Sequence, residues 1–286
     1  MLCYDGLDNG FTQFITKRHF KSTLIVTLTA VSSETIFLIQ SITSLRSGGE
    51  LGLGYLAMFP FILLVGWLYY LSQKYLASNL SIFAADNGFS YRHDGTVDLS
   101  PSSLSRAGSS YSVFDVVAGN LGSYPMQLFL CNVQVNSKVG LVVRSSAQAT
   151  DTFYETVLEV SLPGHLPQLL LVNHQTGFDK LNIDKGFGTQ NTISLEGDFD
   201  RYFKLYTEPG NSVEALEVFS PDTMQLMEAD SKDFSIEFTS GHMYIYMSKS
   251  VKTAEQLRAL FNLANHLMIK VAPLAMRMEQ SETTAQ

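Results

Sequence analysis

The chain is poor in residues that staple, charge or chelate. Its 286 residues include two cysteines, Cys3 and Cys131, and one tryptophan. Two cysteines this far apart build neither a disulfide framework nor a Cys-x-x-Cys metal site, and they leave the redox compartment undetermined. Charged residues are only 16% of the chain, below the roughly 25% usual in soluble domains, so part of it is expected to stay out of water. Positive charge is the scarcer sign: 19 Lys and Arg stand against 27 Asp and Glu, for a formal net charge of −8. No basic stripe follows the N-terminal segment, which argues against nucleic acid as a partner, because binding phosphates takes clustered Lys and Arg. Phosphate-loop, nucleophile-elbow and catalytic Cys/His patterns are also missing, so the sequence assigns no catalytic, cofactor-binding or metal residue and no cofactor.

What is present is apolar material, 45% of the residues, concentrated first near the N-terminus. Residues 24–42 read LIVTLTAVSSETIFLIQSI and residues 53–71 read LGYLAMFPFILLVGWLYYL. Each is close to the ~20 residues that cross ~30 Å of hydrocarbon. The second carries no charge, tolerates Pro60, and ends in Trp67, Tyr69 and Tyr70, which suit the headgroup level. The first holds Glu34 near its centre, at a cost of about 2.5–3.5 kcal/mol. Thr27, Glu34 and Ser41 share one helical stripe that can turn from lipid, and Gly54, Ala57 and Gly66 let the second helix approach it. A cleaved signal peptide is the competing reading. Against it, the apolar pattern resumes after Glu34, no A-x-A site ends it, and a second span follows closely.

Lys17, Arg18, Lys21 and Lys74 flank the outside of this hairpin, whereas Arg46 alone lies in its turn, so both termini are expected in the cytoplasm. The resulting organisation is a cytoplasmic segment over 1–21, a two-span hairpin over 22–72 and a soluble domain over 73–286.

The soluble domain is expected to be α+β, mainly antiparallel, with a C-terminal amphipathic helix. A helix leaving the membrane should stop at Asp86, Asn87 and Gly88. FSYRHDGTVDL reads as a hairpin turning at Asp94 and Gly95, and the serine-rich Ser100–Ser112 as a surface loop. Strand signatures follow in VFDVVAGNL, MQLFLCNVQV, GLVVR and FYETVLEVSL, with linkers too short for helical crossovers. LPGHLPQLLLV should turn and enter another strand, 176–191 should be a loop, and NTISLEGDFDRYFKLYT should resume strand. Ser220 and Pro221 open a short helix, and FSIEFTSGHMYIYMS is a hairpin turning at Ser240 and Gly241. In the last helix Thr253 and Gln256 have capping-box spacing, and Leu257, Leu260, Phe261, Ala264, Leu267, Met268, Val271 and Leu274 form an apolar face expected to cover the sheet.

The C-terminal half resembles a family of bacterial two-span membrane proteins known as a domain of unknown function. The similarity is carried by the F-x-x-x-F segment Phe199–Phe203, the S-P-D-x-M helix start Ser220–Met224 and the hairpin Phe234–Met247. SIFAADNGFSY, VLEVSLPGHLPQLLLV and the paired spans resemble it too, with the version here most similar to those of small-genome lineages such as Saccharibacteria. The resemblance implies a multi-pass protein of the bacterial inner membrane with a lipid-bilayer environment. A membrane-protein partner or a homo-oligomer is conceivable; no activity transfers to any residue.

Among candidate sites, His165 and His174 could converge across a turn to bind metal, though surface or half-buried roles suit them better, as they do His19, His93, His242 and His266. Glu196, Asp198 and Asp200 alternate as in hard-cation sites but lack the full loop, and a solvated turn fits them better. Gly48, Gly49, Gly52 and Gly54 lie between spans, where no phosphate loop forms. Cys131, inside a strand, should be an inert core thiol. Glu34 is the possible functional intramembrane residue. Three functions follow in order: a membrane-anchored cytoplasmic interaction or accessory domain; a transport or proton-coupled subunit using Glu34; and a hydrolase, which a convergent polar pocket would favour.

Overall fold

A computed structural model describes residues 2, 66–67, 79–107, 110–137, 149–174, 192–195, 197–230, 233–248, 250–251 and 253–285. The chain divides into two compact units, Met1–Phe83 and Ala84–Gln286. In the first unit residues 66–67 and 79–83 are helical. The rest of both expected spans, their connecting turn and Glu34 lie outside the described residues, as do the GLVVR run and residues 176–191.

The second unit is built on one antiparallel sheet. Its strands are β1 (Ser90–Asp94), β2 (Ser110–Leu121), β3 (Tyr124–Ser137), β4 (Ala149–Ser161), β5 (Leu169–Asn173), β6 (Thr192–Ile193), β7 (Phe203–Thr207), β8 (Phe234–Thr239) and β9 (His242–Met247). The nine described strands run in the order β1-β2-β3-β4-β9-β8-β5-β7-β6. The helices are α1 (Ser103–Ala107), α2 (Ser212–Val218), α3 (Pro221–Asp230) and α4 (Ala254–Ala285). This is the expected α+β architecture with a predominantly antiparallel sheet.

Local chemistry sets the ends of these elements. Residues 84–86 finish a helical turn whose carbonyls are capped by Gly88 N–H to Ala85 O at 3.3 Å and Phe89 N–H to Ala84 O at 2.7 Å, with Gly88 at φ +68°. That is the reciprocal C-terminal cap that a left-handed glycine permits. The β8–β9 turn places Ser240 at φ +50° and Gly241 at φ +75° between the opposed Thr239 and His242. Two consecutive left-handed residues match the twist of the flanking strands. In β2 the pairing slips between Phe114 and Val117, and Asp115 sits there at φ +54°. Such a bulge re-aims one side chain, and the Asp115 carboxylate accepts from Tyr91 Oη at 2.7 Å and lies 2.6 Å from His93 Nδ1. Edge strand β1 is thereby fastened to β2.

Both sheet faces carry buried residues. On one, Leu128, Leu158, Ile245, Ile236, Leu171 and Leu205 have no exposed surface. The helical layer covers it: Phe219, which ends α2, packs 6.2 Å from Phe238, and Val251 N–H, just before α4, donates to Thr156 Oγ1 at 2.9 Å. Thr253 and Gln256 form the expected reciprocal cap, at 3.2 Å in each direction. Its eight expected apolar positions, Leu257 through Leu274, are buried. Arg277 bonds Glu217 of α2 at 2.7 and 2.9 Å, and Lys270 bonds Ser220 at 2.7 Å and Asp222 of α3 at 3.3 Å. By length and composition the Ala254–Gln280 stretch is also apolar enough to cross a membrane, but 56% of its most apolar window is buried inside the protein.

Three sequence expectations need correction. Asp94 and Gly95 do not turn a hairpin; β1 pairs with β2, and residues 95–99 leave the sheet without forming a strand. The serine-rich segment is not a simple surface loop, since it contains α1 and buries Ser102, Ser103 and Leu104. The hydroxyls of Ser102, Ser103 and Ser105 bond to protein groups. The stretch from Asn191 is not continuous strand, because a 3-10 turn at Phe199–Arg201 intervenes between β6 and β7. Phe199 and Phe203 stack across that turn at 4.5 Å and 23°. Helix α2, finally, went unread in the sequence, its seven residues being too few to show a period.

Candidate ligand pocket

The second face carries the unusual chemistry. Because opposed residues of neighbouring strands share a face, the register defines a row across seven strands: Ser90, Ala118, Gln127, Glu159, Tyr244, Glu237 and Leu170. Two carboxylates thus flank a tyrosine in what is otherwise core. Phe129, Val157, Tyr246, Val172 and Tyr206 pack into the same cluster, and Val97, Leu99 and Leu104 of the segment after β1 close over it.

Glu237 has no exposed surface. Its carboxylate accepts from Ser103 N–H at 3.0 and 2.9 Å, from Ser103 Oγ at 2.5 Å and from Tyr246 Oη at 2.6 Å, with Gln168 Nε2 at 3.5 Å. Burial raises its pKa, and the hydrogen bonds from Ser103 and Tyr246 oppose that rise. An ionised group in low dielectric needs such donors. Here they come from the covering segment itself, so the carboxylate fastens the cover to the sheet. Thr239 Oγ1 adds a 3.4 Å bond to Pro101 O at the same edge.

Glu159 is placed differently. Its Oε1 accepts from Tyr244 Oη at 3.2 Å and lies 2.9 Å from His242 Nδ1. That nitrogen sits at ion-pair distance without hydrogen-bond alignment. Contact with Glu159 nevertheless raises the His242 pKa against the opposing effect of burial, with Asp98 adding a smaller push in the same direction. Burial, then Glu159, raises Tyr244. Glu159 Oε2 is buried with no partner.

A cavity of about 270 Å³ opens on this face, with Arg92, Gln127, Glu159 and Ser161 as its polar lining. Ala118, Gly119, Pro125 and Met126 complete its lining. A small apolar recess with a few convergent polar groups is the usual form of a ligand site.

Two rows further along the same face, Cys131 stands opposite Glu155. Both are buried, and burial pushes the Glu155 carboxyl up to about 8 and the Cys131 thiol up to about 12. Cys131 is the inert core thiol expected of it. His165 and His174 do not converge: they lie on opposite sides of β5, His165 being 3.8 Å from Glu279 of α4 while His174 N–H bonds Tyr202 O. His266 is half-buried, with Nε2 sealed from solvent and unpartnered. Asp200 accepts from Ser194 Oγ and from Leu195 N–H at 3.0 Å, and Asp198 pairs with Arg201. This acidic run is a self-bonded turn, and Glu196 lies outside the described residues. Among the described residues no group of three or more His, Cys, Asp or Glu is placed to hold a metal.

The carboxylates that matter here, Glu159 and Glu237, were not singled out in the sequence. They occupy alternate positions in VLEVS and FSIEF, which reads as a solvent face until a separate segment is known to cover it.

No protein-family model and no curated protein matches the chain. Among solved structures, the mycobacterial trehalose monomycolate transport factor A is similar, with a TM-score of 0.42 and 15% identity over 68% of this chain and 94% of that one.

Proposed function

We propose that this chain is a membrane-anchored accessory module of the bacterial inner membrane, with its α+β domain in the cytoplasm, acting by recognition rather than by making or breaking bonds. It belongs, on this reading, with the two-span membrane proteins it resembles. The observation that carries the recognition reading is the division of labour between the two carboxylates. Glu237 is consumed by the fold, while Glu159 lines a cavity with one carboxylate oxygen unpartnered. Hydrolysis would need a nucleophile within reach of a base and of substrate. Ser103, which touches a carboxylate, is only 2% exposed and donates straight to Glu237, and His242 engages Glu159.

The test is extraction of the full-length tagged chain in mild detergent, followed by affinity capture and light scattering. The expected result is a stoichiometric membrane-protein partner or a defined homo-oligomer. Repeated recovery of a lone monomer would remove the accessory-subunit reading.

A further inference from the structure

We infer that the free edge of strand β1 pairs antiparallel with β1 of a second copy of this chain, in a register centred on His93. The inference rests on the accessory-module reading above and names its partner and surface.

The two ends of the described sheet differ. β6 closes one end with two residues, whereas β1 leaves five residues, Ser90–Asp94, open at the other. An open edge invites pairing, and proteins usually blunt it with lysine, proline or a bulge. The β1 sequence SYRHD has neither lysine nor proline. Its register with β2 is constant from Ser90–Ala118 to Asp94–Phe114, so β1 runs straight. The strand is also held in place, because Tyr91 Oη and His93 Nδ1 both reach the buried Asp115 carboxylate of β2, at 2.7 and 2.6 Å.

Charge selects the occupant. Side chains alternate between faces along a strand, so Arg92 and Asp94 share one face and Tyr91 and His93 the other. Arg92 and Asp94 are exposed, and among the described residues neither side chain has a hydrogen bond or ion pair. A two-fold axis normal to the sheet sets residues of the same face opposite one another. Centred on Arg92 it puts arginine against arginine, and centred on Asp94 it puts aspartate against aspartate. Centred on Tyr91 it puts Arg92 against Ser90 and leaves both charges unpaired. Centred on His93 it puts each Arg92 opposite Asp94 of the other copy, twice over, at the Cβ separation of about 4.5–5.5 Å where opposite charges attract. Each His93 then faces its counterpart with its charge offset by its own Asp115. A strand of another protein would have to match this charge order separately, whereas a second copy supplies it by symmetry. The seam is short, and anchoring both copies in one membrane raises the effective concentration at which they meet.

The test is energy transfer between donor-tagged and acceptor-tagged copies of the full-length chain in phosphatidylethanolamine–phosphatidylglycerol vesicles. Transfer to an unrelated two-span protein sets the baseline, and wild type is expected well above it. Arg92→Glu and Asp94→Arg each put like charges together at both pairs. Each should weaken self-association by about tenfold or more, with melting near wild type. The double variant Arg92→Glu/Asp94→Arg exchanges the charges and should restore transfer. An equal mixture of the two single variants should do the same, because their charges complement across the axis. Restoration by either route supports the seam, and failure of both overturns it. Wild-type transfer at the baseline also overturns it, and a captured membrane-protein partner would then leave the accessory-module reading standing. Self-transfer indifferent to both single substitutions keeps a homo-oligomer and removes the β1 seam.

Discussion

Ser103 and Glu237, 134 residues apart in the chain, are joined by three hydrogen bonds, two from the Ser103 backbone N–H and one from its Oγ. The contact ties a short helix in a serine-rich segment to a central strand, and it does so where water cannot compete. Glu237→Ala should therefore cost on the order of 3 kcal/mol or more, because it strands the Ser103 and Tyr246 donors in a buried site. Ser103→Ala should cost less, about 1–2 kcal/mol, since the backbone N–H still reaches the carboxylate. Urea denaturation of both variants checks the order. Two shifts below about 0.5 kcal/mol would mean the cover is held by its apolar residues alone.

Glu155 makes stability depend on pH in an uncommon direction. Burial raises its folded-state pKa from 4.5 to about 8, so the folded chain keeps a proton that the unfolded chain has already released. The contribution is present in full below about pH 4.5 and is lost as pH rises, being gone above about pH 8. Other groups superimpose on this slope, so the informative quantity is a difference between variants. Glu155→Gln, neutral at every pH, should flatten the fall in Tm between about pH 5 and pH 8. Parallel wild-type and variant profiles would show that Glu155 ionises within the fold without penalty.

Much of the fold was legible in the sequence, and what was not has a physical reason. The β8–β9 hairpin, the glycine cap at Gly88 and the Thr253–Gln256 box are fixed by side chains a few residues apart, and those are the features a pattern can carry. The Asp94–Gly95 turn failed because the partner of β1 lies beyond the serine-rich segment, over twenty residues away, where β2 offers a longer edge. The pocket was harder still. Glu159 and Glu237 look like outward residues of half-exposed strands, and for Glu237 it is the segment carrying Leu99, Ser103 and Leu104 that turns a solvated face into a desolvated one. Nothing local to either glutamate encodes that cover.

Gly164 tests the helical layer. A Cβ there would lie 2.5 Å from Ala275 O and 2.8 Å from Ala275 C, both main-chain atoms of α4. Backbone cannot step aside as a flexible side chain can, so Gly164→Ala must push the helix off the loop between β4 and β5. Overpacking of this kind costs about 1–3 kcal/mol. A Tm drop is expected, together with loosened amide protection in α4 around Ala275 by hydrogen exchange. An unchanged Tm would mean that the loop, not the helix, gives way.

The membrane topology carries the largest consequence for function and is the simplest to measure. On the proposed hairpin, Lys17, Arg18, Lys21 and Lys74 outside it, against Arg46 within it, would put the Ala84–Gln286 unit in the cytoplasm under the positive-inside rule. A reporter active only in the cytoplasm, fused after Gln286, is expected to be active, and the same reporter inserted beside Arg46 is expected to be silent. An active reporter at both positions would mean that one of the two apolar stretches does not cross, so that Glu34 need not lie in lipid. A silent C-terminal fusion would move Arg92 and Glu159 to the envelope side. A ligand of the cavity would then have to be sought outside the cytoplasm, with the cavity chemistry unaltered.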